Sequence, residues 1–305
     1  MRIPQLDHAR LLERMPDEMT RLARAVHDIG FLTVTGTPLT PERVERVLDM
    51  YRAFFVLSAE QKRAVDMAVT GANRGWGAPG SEQVDSTANP DFKEVFDCGF
   101  ELPVGHPLAR HGLGVYAPNL WPESPVGFRD EIKGYYIDAI DVGRQILAAI
   151  SEALGASAGS FAEAFVPPMA LLRGNYYPQR PDWAGERDFG IAAHTDYGCL
   201  TLLAMDGAPG LEVRMPDGSW QAITAPPGTF VINFGEMLEM WTGGRVKATL
   251  HRVVGGPQER ISVPLFLNPS YHTNVAPAGS DQVIFAGDHL SRRFNETYLH
   301  LKPAG

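Results

Sequence analysis

The sequence has few cysteines and no long apolar run. Only Cys98 and Cys199 occur among 305 residues, which is too few for a disulfide framework and is typical of a reducing compartment. No apolar run approaches the roughly 18 residues that a membrane-spanning helix needs, and the N-terminus has no apolar segment of the kind found in signal peptides. We therefore expect a cytoplasmic protein with no membrane partner.

Clusters of basic residues are absent as well. The chain has 27 lysines and arginines against 36 acidic residues, which gives a formal net charge of −9. Without a basic patch, nucleic acid is not an expected partner. The hydrophobic content of 44% is ordinary for a globular protein. The length admits one large domain or two small ones, and the oligomeric state stays open.

The first part of the chain is predicted to be mostly helical. Apolar spacing predicts a helix over residues 17–27, ended by Gly30, and a short strand over 31–35. Thr40 and Pro41 are typical of a helix start. The predicted elements that follow are a helix to Phe55, a turn from Ser58, a loop over 69–91, a second loop over 101–125, and a long helix over about 126–154.

From Met169 onward the pattern changes to short alternating runs between glycine, proline and aspartate turns. Such regularly spaced strands predict a sandwich, a barrel or a jelly roll. No clean linker separates this part from the helices, so we expect the helices to brace one β core. The predicted strands are 169–177, 199–205, 210–214, 219–224, 229–234, 246–254 and 260–267.

The most informative residues are His194, Asp196 and His251. They form a His-x-Asp pair and a second histidine 55 positions later (251 − 196). Two imidazoles and one carboxylate on one face of a metal leave the other face open, as non-haem Fe(II) requires. Catalytic zinc is the alternative, but no His-Glu-x-x-His motif supplies the general base of a zinc hydrolase. The pattern favours iron.

A second motif, Arg260-Ile261-Ser262, follows nine positions after His251 (260 − 251). Alternation along a strand places Arg260 and Ser262 on one side, where a guanidinium and a hydroxyl form a receptor for a carboxylate. By itself, a His-x-Asp pair is more often a hydrogen-bonded surface pair, and a lone histidine is more often structural. The Arg-x-Ser pair is what argues for a functional site.

Other catalytic motifs do not occur in the sequence. It has no glycine-rich dinucleotide-binding motif, no phosphate-binding loop and no Gly-x-Ser-x-Gly elbow. Cys199 is expected to be a buried, inert thiol, and Cys98 has no neighbour that would activate it.

At these residues the chain resembles the isopenicillin N synthase-like branch of the Fe(II)/2-oxoglutarate-dependent dioxygenases. The similarity covers nearly all of the chain. The motifs are specific when taken together, although no single motif is. They are Arg173-Gly174-Asn175-Tyr176-Tyr177-Pro178, Ala193-His194-Thr195-Asp196-Tyr197-Gly198, Pro209-Gly210-Leu211-Glu212-Val213, Val231-Ile232-Asn233-Phe234-Gly235-Glu236, Trp241-Thr242-Gly243-Gly244, His251-Arg252-Val253 and Arg260-Ile261-Ser262.

The resemblance implies a double-stranded β-helix, or jelly roll, in one oxygenase domain over 1–305. Residues 1–168 would be the mostly helical N-terminal part with lid loops, and 169–305 the jelly-roll core and C-terminal segment. It implies Fe(II) held by His194, Asp196 and His251, with O₂ and 2-oxoglutarate as co-substrates. The distal carboxylate of 2-oxoglutarate would contact Arg260 and Ser262, with Asn175 and Tyr177 as further polar contacts.

The resemblance also implies oxidation of a C–H bond of a small molecule, with hydroxylation the expected outcome. Desaturation, cyclisation, epoxidation and an ethylene-forming type of reaction could occur at the same site. Two members of this branch keep the motifs without consuming 2-oxoglutarate, so an oxidase is a further alternative. A catalytically silent jelly roll that binds a metal or ligand is the non-enzyme alternative.

The substrate is expected between the mouth of the β core and loops 69–91 and 101–125, because loops on a rigid scaffold carry specificity. A small molecule of bacterial specialised metabolism or amino-acid modification would suit the family. Glu94 could meet a cationic group on it. The candidate substrate contacts, each of which could instead pack a loop against the core, are Phe92, Glu94, Phe96 and Phe266.

Overall fold

The computed structural model describes residues 2–85, 87–155, 161, 163–185, 188–277 and 279–298. Within them, helices cover one face of a large β-sheet and a smaller sheet lies against the other face. The ends of the domain predicted over 1–305, residues 1 and 299–305, lie outside the described residues.

Helices dominate the N-terminal part, as predicted. A π-helical turn, Ala25–Ile29, follows α2, and the 3₁₀ turns are Pro107–His111, Gly114–Tyr116 and Glu163–Phe165. The α-helices of the described residues are α1 His8–Leu12, α2 Pro16–Arg24, α3 Pro41–Phe55, α4 Ala59–Arg63, α5 Met67–Thr70, α6 Phe128–Ala153, α7 Glu236–Trp241 and α8 Ala286–Thr297.

The predicted helix boundaries are mostly confirmed. Thr40 caps α3 by accepting a hydrogen bond from the backbone N–H of Arg43 at 3.3 Å. The helix predicted over 17–27 instead ends at Arg24 and continues as a π-helical turn up to Gly30, which has a φ of 72°. Gly30 is required there because a Cβ would lie 2.2 Å from the carbonyl oxygen of Lys247.

Twelve strands form two sheets in the described part of the chain. They are β1 Gln5–Asp7, β2 Phe31–Thr35, β3 Gly75–Gly77, β4 Glu94–Gly99, β5 Met169–Tyr177, β6 Ile191–His194, β7 Leu200–Met205, β8 Leu211–Arg214, β9 Trp220–Ile223, β10 Phe230–Phe234, β11 His251–Val253 and β12 Arg260–Asn268. The larger sheet has the order β1-β2-β10-β7-β12-β5-β4-β3, and the smaller sheet the order β6-β11-β8-β9.

Alternation along the strands separates two interiors. On β12, Ile261, Val263, Leu265 and Leu267 pack against the helices, whereas the even-numbered residues face the space between the sheets. Residues of both sheets pack together in a second apolar cluster that includes Phe31, Met205, Val213 and Val253. The predicted β core with flanking helices is confirmed, and it consists of two sheets rather than a closed barrel.

Several strands differ from the prediction. The strand predicted over 246–254 is shorter, since only His251–Val253 pairs. β6, with four residues, was not predicted, although it carries the first candidate ligand. β3 lies inside the predicted loop 69–91, and β4 directly follows it. Both extend the large sheet beyond β5.

No helix of the described residues is both long and apolar enough to cross a membrane.

Candidate active site

Pairing of β6 with β11 brings the two candidate histidine ligands together. His251 lies directly opposite His194 in the register, and their ring centroids are 4.3 Å apart. Asp196 follows β6, and its Oδ1 lies 3.8 Å from His194 Nε2 and 3.6 Å from His251 Nε2. One potential ligand atom of each residue lies within 4.8 Å of the others, which is the geometry of a three-ligand metal site.

Each imidazole is oriented by a backbone carbonyl two residues earlier in the chain. His194 Nδ1 lies 2.8 Å from the carbonyl oxygen of Ala192, and His251 Nδ1 lies 3.1 Å from that of Thr249. A carbonyl can only accept, so Nδ1 carries the proton and the unprotonated Nε2 faces the cluster. This is the common way in which proteins fix a metal-binding histidine.

The carboxylate of Asp196 is held in the same manner. Its Oδ2 accepts a hydrogen bond from Asn233 Nδ2 at 2.7 Å and another from Thr201 Oγ1. Both donors come from the large sheet, from β10 and β7. Oδ1 therefore remains available on the side of the two imidazoles.

Burial sets the charges of this cluster. Burial and the neighbouring His251 lower the pKa of His194 to about 3, so its ring is neutral at physiological pH. Burial alone would raise the pKa of Asp196, but the two histidines and the bonds from Thr201 and Asn233 hold it below its usual value. Neutral imidazoles and an ionised carboxylate are what a divalent cation needs, so the residues fit Fe(II).

The cluster lies on the wall of a cavity of about 290 Å³ between the two sheets. All four residues predicted to bind 2-oxoglutarate line this cavity. Pairing of β12 with β5 places Arg260 opposite Tyr177 and Ser262 opposite Asn175. Asn175 Nδ2 donates to Ser262 Oγ at 3.4 Å.

Arg260 is buried, with 4% of its surface exposed. Its guanidinium carbon lies 5.0 Å from the centre of the Tyr177 ring. The Nε and Nη1 atoms have no hydrogen-bond partner among the described residues. A buried guanidinium with free N–H groups is costly unless an anion occupies the space beside it.

Only Phe266 of the four candidate substrate contacts lines the cavity. Phe96 is fully buried on the helix side of β4, where its ring centroid is 4.9 Å from that of Phe54. Glu94 lies on the same side, because it is two residues away, and its Oε2 accepts from Lys62 Nζ at 2.6 Å. Phe92 packs against Trp183, outside the cavity.

Sequence reasoning missed a group of buried charges beside the cavity, of which Glu82, Lys93 and Arg173 line it. Arg173 donates to Asp97 Oδ1 at 2.8 Å and to Glu82 Oε2 at 3.0 Å. Lys93 Nζ lies 2.8 Å from Glu82 Oε2 and 2.7 Å from Asp91 Oδ2. We call these five residues the ionic cluster. The one available signal was Arg173, which lies two residues before Asn175 on an alternating strand.

Both predicted loops reach the cavity. Loop 69–91 contributes Gly71, Ala72, Asn73, Arg74, Glu82 and Val84, and loop 101–125 contributes Gly114 and Val115. The cavity between the two sheets therefore extends to these loops.

Two family models match the chain. Residues 168–269 match the 2OG-Fe(II) oxygenase superfamily, and residues 3–124 match the non-haem dioxygenase in morphine synthesis N-terminal family. The first match includes the three candidate ligands and the Arg-x-Ser motif. The second covers most of the helical part and both loops.

Known proteins are similar over most of the chain. A homoarginine-6-hydroxylase of Arabidopsis thaliana is 32% identical over 291 residues, which are 90% of this chain and 87% of the relative. One of Oryza sativa subsp. japonica is 35% identical over 88% of this chain and 86% of its own. The crystal structure of a Neurospora crassa protein in complex with alpha-KG and thymine has a TM-score of 0.83 at 27% identity, covering 96% of each chain.

Proposed function

Because the chain belongs to the 2OG-Fe(II) oxygenase superfamily, we propose that His194, Asp196 and His251 bind its iron. Arg260 and Ser262, with Asn175 and Tyr177, bind the distal carboxylate of 2-oxoglutarate. The protein is an Fe(II)- and 2-oxoglutarate-dependent oxygenase with a jelly-roll fold. The reaction is hydroxylation of a C–H bond of a small molecule in the cavity.

The observation that carries the co-substrate assignment is the incomplete hydrogen bonding of the buried Arg260 guanidinium among the described residues. Its Nε and Nη1 have no partner among the described residues, and Arg260 lines the same cavity as the three metal ligands. Arginine can donate two parallel hydrogen bonds to one carboxylate. Ser262 offers a hydroxyl on the same side of β12, and Tyr177 covers the guanidinium from the opposite strand.

Bound iron supplies the redox chemistry that couples decarboxylation of 2-oxoglutarate to oxidation of the substrate by O₂. The chain's own residues contribute placement. Ala192 and Thr249 hold the imidazoles and Asn233 holds the carboxylate, so the ligand atoms are oriented before the metal arrives. Apolar walls restrict water around the reacting carbon. Displacement of that carbon by about 1 Å can reduce the rate on the order of 100-fold.

The relatives support a substrate of amino-acid type. Two that span most of the chain, at 32% and 35% identity, are named homoarginine-6-hydroxylases. A cavity of about 290 Å³ suits a small molecule of that size. We therefore expect oxidation of a side-chain carbon of a polar amino acid.

The test is an assay of succinate formation by the purified enzyme with Fe(II), 2-oxoglutarate and L-homoarginine. Succinate and a hydroxylated amino acid should appear in a 1:1 ratio, and both should require Fe(II) and 2-oxoglutarate. Substrate loss without succinate would instead indicate an oxidase. No consumption of 2-oxoglutarate with a wide panel of amino acids would contradict the proposal.

A further inference from the structure

Four buried side chains on the cavity wall have polar atoms without a hydrogen-bond partner among the described residues. Arg260 and Asn175 belong to the pocket proposed for 2-oxoglutarate. The other two atoms are Asn73 Oδ1 and Glu82 Oε1, and both are acceptors. An unpaired buried acceptor costs free energy, so a molecule that fills the cavity beside either atom should bring hydrogen-bond donors.

The surroundings of Glu82 explain why one of its oxygens is free. Oε1 lies 2.9 Å from Arg173 Nη2. However, the two protons of that nitrogen are directed at Asp97 Oδ2, at 2.6 Å, and at the hydroxyl of Tyr298. Lys93 and Arg173 Nη1 contact Oε2 instead. Oε1 therefore has a cation nearby but receives no proton from it.

The charges around this position also keep Glu82, which lines the cavity, ionised. Burial would favour the neutral acid, but Arg173 and Lys93 lower the pKa of Glu82 to about 2, so it is a carboxylate at neutral pH. Arg74, the nearby third cation, donates to the backbone carbonyls of Asn73, Val115 and Ala117. Each nitrogen of both guanidinium groups thus donates to an acceptor of the protein.

Glu82 lies at a different position along the cavity from the residues proposed to bind 2-oxoglutarate. Odd-numbered residues of β5 face the cavity, and Arg173 lies two residues before Asn175, a distance of about 6–7 Å along the strand. Glu82, which contacts Arg173, thus lies beside the 2-oxoglutarate pocket rather than inside it. The lining of the cavity as a whole is largely apolar and includes Val84, Leu171 and Leu290.

We propose that Glu82 Oε1 and Asn73 Oδ1 bind a guanidinium head group at the end of an aliphatic substrate chain. This inference rests on the proposed function and names the substrate class of that site. A guanidinium carries five donors in one plane, enough to reach acceptors on two side chains. Its charge strengthens the bond to the carboxylate, while the apolar wall accommodates the methylene groups.

The test compares ligands that differ only in the head group. Dissociation constants are measured by anaerobic titration calorimetry on enzyme loaded with Fe(II) and 2-oxoglutarate. The probes are L-homoarginine, its neutral isostere L-homocitrulline, and L-norleucine, which lacks the head group. We expect the wild type to bind homoarginine about tenfold or more tightly than homocitrulline, as a charge-assisted bond predicts.

Glu82→Gln should remove most of that preference while the affinity for 2-oxoglutarate stays within about threefold. Glu94→Gln is the matched control, because Glu94 also pairs with a buried lysine but lies outside the cavity; it should keep the wild-type ratio. If Glu82→Gln does not fold, the Asn73→Leu variant tests the proposed contact instead. It should weaken homoarginine binding at least about fivefold and leave norleucine binding unchanged.

A wild type that binds Fe(II) and 2-oxoglutarate but shows no preference for homoarginine would overturn this inference and leave the proposed function standing. A preference that survives in Glu82→Gln, or unchanged binding in Asn73→Leu, would also overturn it. Failure of the wild type to bind Fe(II) or 2-oxoglutarate would contradict the proposed function itself.

Discussion

Asn233 Nδ2 donates a hydrogen bond of 2.7 Å to Asp196 Oδ2, and this bond determines which oxygen of Asp196 faces the two histidines. Asn233 lies on β10 of the large sheet, whereas the histidines lie on strands of the small sheet. The carboxylate is thus fixed by one sheet and the imidazoles by the other. The metal site depends on how the two sheets pack.

Asn233→Leu should weaken iron binding without unfolding the protein. Asp196 would keep its bond from Thr201 but lose the other donor, and removal of such a partner typically reduces metal affinity about 10- to 100-fold. Titration with Fe(II) under anaerobic conditions measures this loss. Ile232→Val is the control, because Ile232 points to the helix side of the same strand. Equal iron affinity in Asn233→Leu and the wild type would show that Asn233 does not position Asp196 for the metal.

His194→Ala and Asp196→Ala should each abolish succinate formation. Two remaining ligands cannot hold Fe(II) in the three-point geometry that leaves the opposite face open. Iron content after desalting, measured by atomic absorption, should fall together with activity. Turnover at the wild-type rate in either variant would rule out the proposed ligand set.

Two pairs of site residues could be predicted from local sequence, whereas the third ligand, His251, lies 55 positions after Asp196 (251 − 196). His194 and Asp196 are two residues apart, and Arg260 and Ser262 share one face of a strand by alternation alone. The resemblance supplied Asn175 and Tyr177. The structure brings all of them to one cavity, although no alternation marked the short strand Ile191–His194 that carries the first histidine.

The ionic cluster could not be predicted because its members are far apart in the sequence. Glu82 lies in a loop whose composition carries no periodic signal, and its partner Arg173 is 91 positions away. β4 is almost wholly buried, so it lacks the alternation that identifies a strand with one exposed face. For the same reason the sequence did not show that Glu94 and Phe96 face the helices, and both were predicted to contact the substrate.

Asp97→Asn should destabilise the fold strongly. Asp97 is fully buried and pairs with Arg173 through both oxygens. Neutralising one partner leaves a buried guanidinium poorly compensated, which typically costs about 3–5 kcal/mol. Urea unfolding measures the change in the free energy of unfolding. Asp49→Asn, which removes an exposed partner of Arg52, should change it by about 1 kcal/mol or less. A similarly small change for Asp97→Asn would show that the cluster does not stabilise the fold.

Arg260→Ala should raise the KM for 2-oxoglutarate sharply while iron binding survives. The Arg260 guanidinium is the buried cation proposed to bind the distal carboxylate of 2-oxoglutarate. Loss of a charge-assisted pair costs about 2 kcal/mol or more, which is about 30-fold in affinity. Arg260→Lys should recover only part of the loss, since an ammonium cannot form two parallel bonds. Arg252→Ala is the control, because Arg252 pairs with Glu212 and stacks on Trp220 outside the cavity. If Arg260→Ala lost iron and kept its 2-oxoglutarate requirement, the guanidinium would serve the metal site rather than the co-substrate.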